Sequence, residues 1–228
     1  MSEPTLTRSG SPECEVLFEL FSAPRGRVLL GRLNSGRETG RVVRLRAVDA
    51  AALPLASEAV AATRDHDFSC PELLKLLDVA EDGAQSYIAS EYIPGISLLE
   101  LTARARRQGG MDPAAAVNIA LNALRRLDQA AALLAAAGRP RPRLFYADCI
   151  WIADYGETLL AEPGVSAYLS GNSAPEAQEV GNEAERHDAR AIAVELYQLV
   201  SGKLLVGDLA SALGNLPAPL ARVLTGLL

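Results

Sequence analysis

The sequence predicts an α+β fold in which an antiparallel sheet comes first and helices follow. Between residues 16 and 92 the chain alternates short apolar runs with turn residues, the pattern typical of strands. Beyond residue 98 the apolar residues recur at helical spacing over long stretches. A chain of 228 residues can bury a sizeable core, either as one large domain or as two lobes.

Charge and hydropathy argue against two classes of partner. The formal net charge is −6 and most basic residues are scattered, so we expect no broad basic face and no general nucleic-acid binding. No apolar run reaches the roughly 18 residues that a membrane span requires, and the N-terminal residues include no apolar targeting core. We therefore expect no nucleic acid, no membrane span and a cytoplasmic location.

The cysteines and histidines do not have the spacing of a metal site. Cys14, Cys70 and Cys149 are odd in number, widely separated and surrounded by apolar neighbours, which favours buried free thiols in a reducing cytosol. His66 and His187 have no ligand-like neighbours in the sequence. We expect no metal site.

The first half of the chain is predicted to form the sheet. Residues 1–14 mix serine, threonine, proline and glycine without periodicity, so we expect them to be disordered. A helical stretch is expected at residues 56–64. The predicted strands are residues 16–21, 27–33, 41–48, 72–79 and 86–92.

Helices are predicted at residues 98–108 and 112–137. Asp112 before Pro113 is a typical N-cap followed by a proline at the first helical position, and Gly138 is a stop signal. The apolar stripe predicted for the second of these helices comprises Ile119, Leu121, Leu124, Leu127, Leu133 and Leu134. A final amphipathic helix is expected to bury Leu220, Val223, Leu224, Leu227 and Leu228.

Between these helices the pattern predicts a hairpin. Apolar runs at residues 149–152 and 158–161 flank Ala-Asp-Tyr-Gly at residues 153–156, a turn signal. We therefore interpret Asp154 as a turn residue and not as a metal ligand.

The stretch 138–176 resembles the catalytic and magnesium-binding segments of a bacterial, eukaryotic-like serine/threonine protein kinase. Gly138 and Leu144 match the residues that flank the family's H-R-D motif, and Ala-Pro-Glu at 174–176 matches its A-P-E. Glu-Tyr-Ile-Pro-Gly-Ile-Ser-Leu at 91–98 is similar to the family's hinge. Residues 186–202, which include Asp188, are similar to the central helix of its large lobe, so the resemblance implies a helix there. The resemblance covers residues 18–228.

This resemblance implies a two-lobed, protein-kinase-like fold. The small antiparallel-sheet N-lobe would comprise residues 15–93, and the mainly helical C-lobe residues 94–228, shortened at its C-terminal end. In this family Glu176 and Asp188 would act as scaffold residues. Only the nine residues 165–173 lie between the position of the family's D-F-G motif, at 162–164, and the A-P-E. This interval leaves no room for a regulated activation loop.

The residues that carry the family's chemistry in the C-lobe are replaced. The resemblance places Arg143 at the catalytic aspartate and Phe145 at the catalytic-loop lysine. It places Asp148 at the metal-binding asparagine and Glu162 at the aspartate of D-F-G.

The N-lobe positions are also changed. The glycine-rich loop keeps only Gly26, and the phosphate-clamping lysine becomes Arg46, with Glu58 as its implied partner or else as a surface glutamate. Ser90 takes the gatekeeper position. The resemblance thus implies a degenerate nucleotide site made of Gly26, Arg46, Glu58, Ser90, Glu91, Tyr92, Asp148 and Glu162.

We therefore expect a catalytically inactive pseudokinase that serves as a protein-interaction, scaffold or regulatory module, with neither ATP nor Mg²⁺ as a cofactor. Arg139, Arg141 and Arg143 form either an anion-binding or partner-binding patch or a solvated loop. One alternative is a nucleotide-binding enzyme or switch of the same fold with a different transfer reaction. Another is a structural module that assembles with copies of itself.

Overall fold

The structure is an α+β arrangement of two compact units. The computed structural model describes residues 11–24, 26–50, 53–54, 57–58, 60–61, 71–83, 85–138, 141–163, 181–206, 209–214 and 216–228. The first unit contains the described residues up to 61 together with Lys75–Tyr92. The second contains residues 71–74 and the described residues from Ile93 onward. No helix within these described ranges has both the length and the apolar character needed to cross a membrane.

The first unit is built on a five-stranded antiparallel sheet of order β1-β2-β3-β5-β4. Its strands are β1 (Cys14–Ala23), β2 (Gly26–Leu33), β3 (Val42–Val48), β4 (Leu76–Asp82) and β5 (Gln85–Glu91). β1 and β2 are joined by a tight turn, because Ala23 pairs directly with Gly26. The chain near residue 57 is helical, and the Ser57 hydroxyl donates to the Leu53 carbonyl at 2.7 Å.

Both faces of β3, the central strand of this sheet, are largely buried. Side chains of a strand alternate between faces, so Val43 and Leu45 of β3 share one face and Arg44 and Arg46 the other. The first face packs in an apolar cluster with Leu29 and other buried residues. On the second face both arginines have no exposed surface. The alternation predicted the strands but not the burial of two cations.

The second unit combines a three-stranded sheet with helices. The sheet, of order β6-β7-β8, consists of β6 (Gly95–Ser97), β7 (Ile150–Ala153) and β8 (Thr158–Leu160). The helices are α1 (Leu98–Gln108), α2 (Pro113–Ala136), α3 (Asn182–Ser201), α4 (Leu209–Leu213) and α5 (Ala218–Leu227). The predicted hairpin is confirmed: β7 and β8 pair, Gly156 has a φ of 92°, and exposed Asp154 lies in the turn.

Local capping explains why α1 and α2 begin where they do. Ser97 and Glu100 form a capping box at the start of α1, each side chain accepting from the backbone N–H of the other. Asp112 accepts from the Ala115 N–H at 2.9 Å, with Pro113 as the first residue of α2. The predicted Asp112 cap is confirmed, whereas the sequence analysis did not identify the capping box.

The buried face of α2 differs from the predicted leucine stripe. Leu127 and Leu134 are buried, but Leu121 is 48 % exposed. The other buried apolar positions are alanines: Ala116, Ala120, Ala123 and Ala130. Ile119, Leu124 and Leu133 are partly buried and pack against the same core, so the predicted stripe is wrong only at Leu121. It missed the alanines because it counted only large residues.

Two further sequence expectations are corrected. In α5 only Leu224 is buried, whereas Val223 and Leu227 are exposed, so the predicted face is only partly correct. The fourth strand begins at Leu76, and not at residue 72, because the preceding residues pair elsewhere. The Leu74 N–H donates to the carbonyl of Leu160 in β8, at 2.9 Å.

Candidate functional site

Helix α3 fixes the loop at residues 141–148, which contains the positions singled out for catalysis. The carboxylate of Asp188 accepts hydrogen bonds from the backbone N–H groups of Phe145 at 2.8 Å and Leu144 at 3.1 Å. Its second oxygen accepts from Arg141 Nη2 at 3.0 Å. One buried side chain therefore sets the path of the loop through backbone contacts.

The electrostatics of Asp188 suit this structural task. Burial raises the pKa of Asp188, and the hydrogen bonds from Phe145, Arg141 and Leu144 act in the opposite direction. The side chain is only 1 % exposed and its oxygens are occupied by these donors. Asp188 therefore supports the loop but is not placed to accept a proton from a bound substrate.

Arg141 and Arg143, the two described members of the predicted arginine patch, make different contacts. Arg141 is 15 % exposed and is committed to Asp188, with Asp128 3.8 Å away on its other side. Arg143 instead places its guanidinium over the ring of Tyr146, 5.2 Å from the ring centroid. Arg139 lies outside the described residues, as does Glu176. Arg141 is therefore withdrawn from the predicted surface patch.

Residues 144 and 145 belong to the core. Leu144 has no exposed surface and Phe145 is 3 % exposed, and both are members of the main apolar cluster of the second unit. Phe145 therefore fills space in the interior and offers no polar group at this position.

The two carboxylates implied as metal ligands are both buried. Asp148 is 4 % exposed and lies two residues before β7 begins at Ile150. Glu162 has no exposed surface, and its Oε2 accepts from the Cys149 thiol at 3.4 Å. Glu162 also has a φ of 55°, which is uncommon for a residue with a side chain. A thiol donor beside a fully buried carboxylate does not fit the oxygen-rich, hydrated surroundings that Mg²⁺ prefers.

The predicted residues of the first unit occupy several different settings. Arg46 is fully buried in β3, whereas Glu58 is exposed, and no ion pair joins these two described residues. The exposed position of Glu58 therefore favours a surface glutamate over a partner of Arg46. Ser90, also fully buried, stands opposite Arg44 in the ladder between β3 and β5.

Glu91 of the hinge-like segment and Gly26 both make contacts within the first unit. Glu91 accepts from Arg41 Nη2 at 3.0 Å, and Tyr92 is half-buried. Gly26 has a φ of 107°, and a Cβ there would lie 3.0 Å from the Ala47 carbonyl oxygen. The glycine thus serves a tight turn and a close backbone approach within the sheet.

Two basic residues of α3 that were not predicted as site residues are His187 and Arg190. With Arg143 they line an open pocket of about 480 Å³, here called the basic pocket. Its full lining is Arg143, His187, Arg190, Ala191, Val194, Leu205 and Leu228. The available signal was the i, i+3 spacing of His187 and Arg190 on one helix.

Comparison with known proteins gives no family assignment. The sequence matches no protein-family model and no curated protein. Within the described part of the chain, no group of three or more histidine, cysteine, aspartate or glutamate side chains is arranged to hold a metal ion. Functional inference therefore depends on the residues and their geometry.

Proposed function

We propose that the chain is a catalytically inactive, protein-kinase-like module that acts by binding a protein partner. In this proposal the first unit corresponds to the small lobe and the second to a shortened large lobe. The support is the set of landmarks at residues 91–98 and 174–176 and at Asp188, together with an antiparallel sheet followed by helices. The organisation of the 141–148 loop by Asp188 is the kind of contact that the resemblance implies.

The observation that carries this proposal is the use of the 141–148 loop for packing and ion pairing. Phosphoryl transfer in kinases requires an aspartate to orient the attacking hydroxyl and cations that clamp the phosphates. Here Arg143 lies against Tyr146, and Phe145 is in the core. Loss of a positioned base alone lowers a rate by roughly 10²–10⁴-fold.

The phosphate-binding loop supports the same conclusion. A kinase glycine-rich loop brings bare backbone N–H groups over the phosphates. Ala23 and Gly26 pair directly, so only two residues connect β1 to β2 in this chain. A turn of that length leaves no extended loop to cover a nucleotide.

The experiment is thermal unfolding of the chain with and without millimolar ATP plus Mg²⁺ or Mn²⁺. A ligand that binds only the native state at 100 times its Kd adds about 2.7 kcal/mol of stability. We expect no change in Tm and no phosphate transfer to a generic protein substrate. A metal-dependent rise in Tm that Asp148→Asn abolishes would overturn the inactive assignment and favour a nucleotide-binding enzyme or switch.

The partner half of the proposal has its own test. Light scattering of the purified chain at several concentrations distinguishes a monomeric module from one that assembles with copies of itself. We expect a monomer that forms a complex of defined mass only with a protein partner. A homo-oligomer whose mass depends on concentration would contradict the partner-binding proposal and favour a structural module that assembles with copies of itself.

A further inference from the structure

Strand β1 leaves one edge of the five-stranded sheet without a partner strand. It is the first member of the order β1-β2-β3-β5-β4, so β2 pairs with only one of its two edges. An isolated bridge joins Glu13, just before β1, to Glu81 of β4. Among the described residues, 15–20 make no backbone hydrogen bond outside the β1–β2 ladder. The outer edge of residues 15–20 therefore keeps unpaired N–H and C=O groups.

The same stretch exposes apolar side chains. Phe18 is 53 % exposed and Leu17 is 38 % exposed. Natural proteins often protect an edge strand with lysine or proline, and β1 contains neither residue type. Exposed apolar side chains beside free ladder groups are what an added strand requires, because the backbone supplies affinity and the side chains supply specificity.

Two β-bulges limit where a strand can be added. The β1–β2 register shifts between Val16 and Phe18 and again between Glu19 and Phe21. A bulge bends its strand and interrupts regular pairing, so β1 does not offer a flat edge along its whole length. Between the bulges, Phe18 and Glu19 pair with consecutive residues of β2. An added strand is therefore expected to be short and centred on Phe18 and Glu19.

The charges of β1 indicate which kind of strand fits. Its charged residues are Glu15 and Glu19, both exposed. Glu19 lies 3.8 Å from Arg27 of β2, but both side chains are largely exposed, so this pair contributes little. Opposite charges on neighbouring strands stabilise a sheet and like charges destabilise it. A basic segment is therefore favoured over a second copy of β1, whose charged residues are glutamates.

We propose that the outer edge of β1 binds an extended segment of a protein partner in which apolar and basic side chains alternate. Consecutive residues of a strand project from opposite faces, so an apolar side chain of the segment packs beside Phe18 while a basic one lies beside Glu19. Backbone hydrogen bonds to residues 16–19 supply the pairing. The inference rests on the proposed function, because it specifies where and how the module binds its partner.

The test is isothermal titration calorimetry of the full chain with three synthetic hexapeptides. The first alternates lysine and valine. The second has the same side chains, but its backbone nitrogens are methylated and cannot donate to a ladder. The third alternates glutamate and valine. We expect the first peptide to bind with a Kd at or below about 1 mM and at least about 10-fold more tightly than either of the others.

Three variants locate the binding. Phe18→Lys should weaken the lysine–valine peptide by about 10-fold or more, because it removes the apolar contact and adds a like charge. Val42→Lys is the matched control: Val42 is 39 % exposed in the same unit but belongs to β3, an inner strand, so affinity should change less than about 2-fold. Glu19→Gln should weaken the same peptide by about 3-fold.

Circular dichroism checks that each variant is folded. The proposal is overturned if the lysine–valine peptide does not bind below about 10 mM, if the methylated peptide binds as tightly, or if Val42→Lys weakens binding as much as Phe18→Lys. A dimer of the chain that Phe18→Lys dissociates would also overturn it, in favour of a second copy at this edge. If the peptide fails while the chain still forms a complex of defined mass with a protein, only the β1 site is refuted and the proposed function stands.

Discussion

Replacing Arg126 tests whether a buried cation holds the second unit together. Arg126 lies in α2, and its side chain is 10 % exposed. Nε donates to the carbonyl of Thr158 in β8 at 2.8 Å, and Nη1 donates to Gln129 at 3.1 Å. Glu72 and Glu157 each place a carboxylate oxygen 3.5 Å from the guanidinium. One side chain thus connects the long helix, the small sheet and the 71–74 segment.

The magnitude follows from the exposure of each partner. Glu157 is 58 % exposed and Glu72 is 33 % exposed, so each ion pair contributes roughly 0–1 kcal/mol. A hydrogen bond from a charged donor contributes about 1.5–3 kcal/mol, and Thr158 is buried, so its carbonyl would lose that donor. Arg126→Met keeps an unbranched apolar stem and should therefore lower the free energy of unfolding by about 2–4 kcal/mol.

Urea unfolding followed by the fluorescence of Trp151 is the assay, because this is the only tryptophan of the sequence and lies in the same unit. Arg126→Lys should lose most of the same stability, because the shorter point charge does not reproduce the guanidinium geometry. Glu157→Gln is the control and should stay within about 0.5 kcal/mol. The reasoning is refuted if Arg126→Met costs less than about 0.5 kcal/mol, or no more than Glu157→Gln.

Three other predictions concern titration, packing and thiol reactivity. Burial raises the pKa of Glu195 above its ordinary 4.5, and the Thr102 hydroxyl opposes this. The contribution of protonated Glu195 to the free energy of unfolding is complete below pH 4.5 and is lost as the pH rises through the pKa of the folded state. Glu195→Gln should therefore withstand more urea than the parent protein at pH 7 but not at pH 4. A Cβ on Gly95 would lie 2.3 Å from a backbone oxygen of β7, so Gly95→Ala should lower the unfolding free energy by about 1–3 kcal/mol in urea titrations. Gly226→Ala, which meets nothing within 4 Å in α5, should be neutral or stabilising by up to about 1 kcal/mol. Burial and two nearby carboxylates raise the pKa of Cys14 from 9.0 to about 11, so mass spectrometry should show native alkylation at pH 8 at least roughly 100-fold slower than in the unfolded chain.

The secondary structure was largely predictable because local chemistry specifies it. The helix at Leu98–Gln108 has the predicted bounds, and the β7–β8 hairpin forms around its turn residues. The fourth strand was misplaced because residues 72–79 are apolar at five of eight positions without strict alternation. Periodicity in such a run does not tell which residues pair with β8 and which with β5, since that choice is made by tertiary packing.

The candidate site was less predictable, because residue type does not determine burial. Three closely spaced arginines at positions 139, 141 and 143 suggested a surface patch. In the structure Arg141 binds Asp188, whereas Arg143 lines the basic pocket. His187 and Arg190, which line the basic pocket with Arg143, stand more than 40 positions later in the chain. Only the tertiary fold brings that helix face beside the loop.

Asp188 holds the 141–148 loop mainly through the loop backbone. Two of the three groups that donate to Asp188 in the described part of the chain are backbone N–H groups, which every residue except proline provides. The side chains at positions 143 and 145 are therefore not needed to hold the loop. Phe145 packs in the core and Arg143 lines the basic pocket, while the loop backbone stays bound to Asp188.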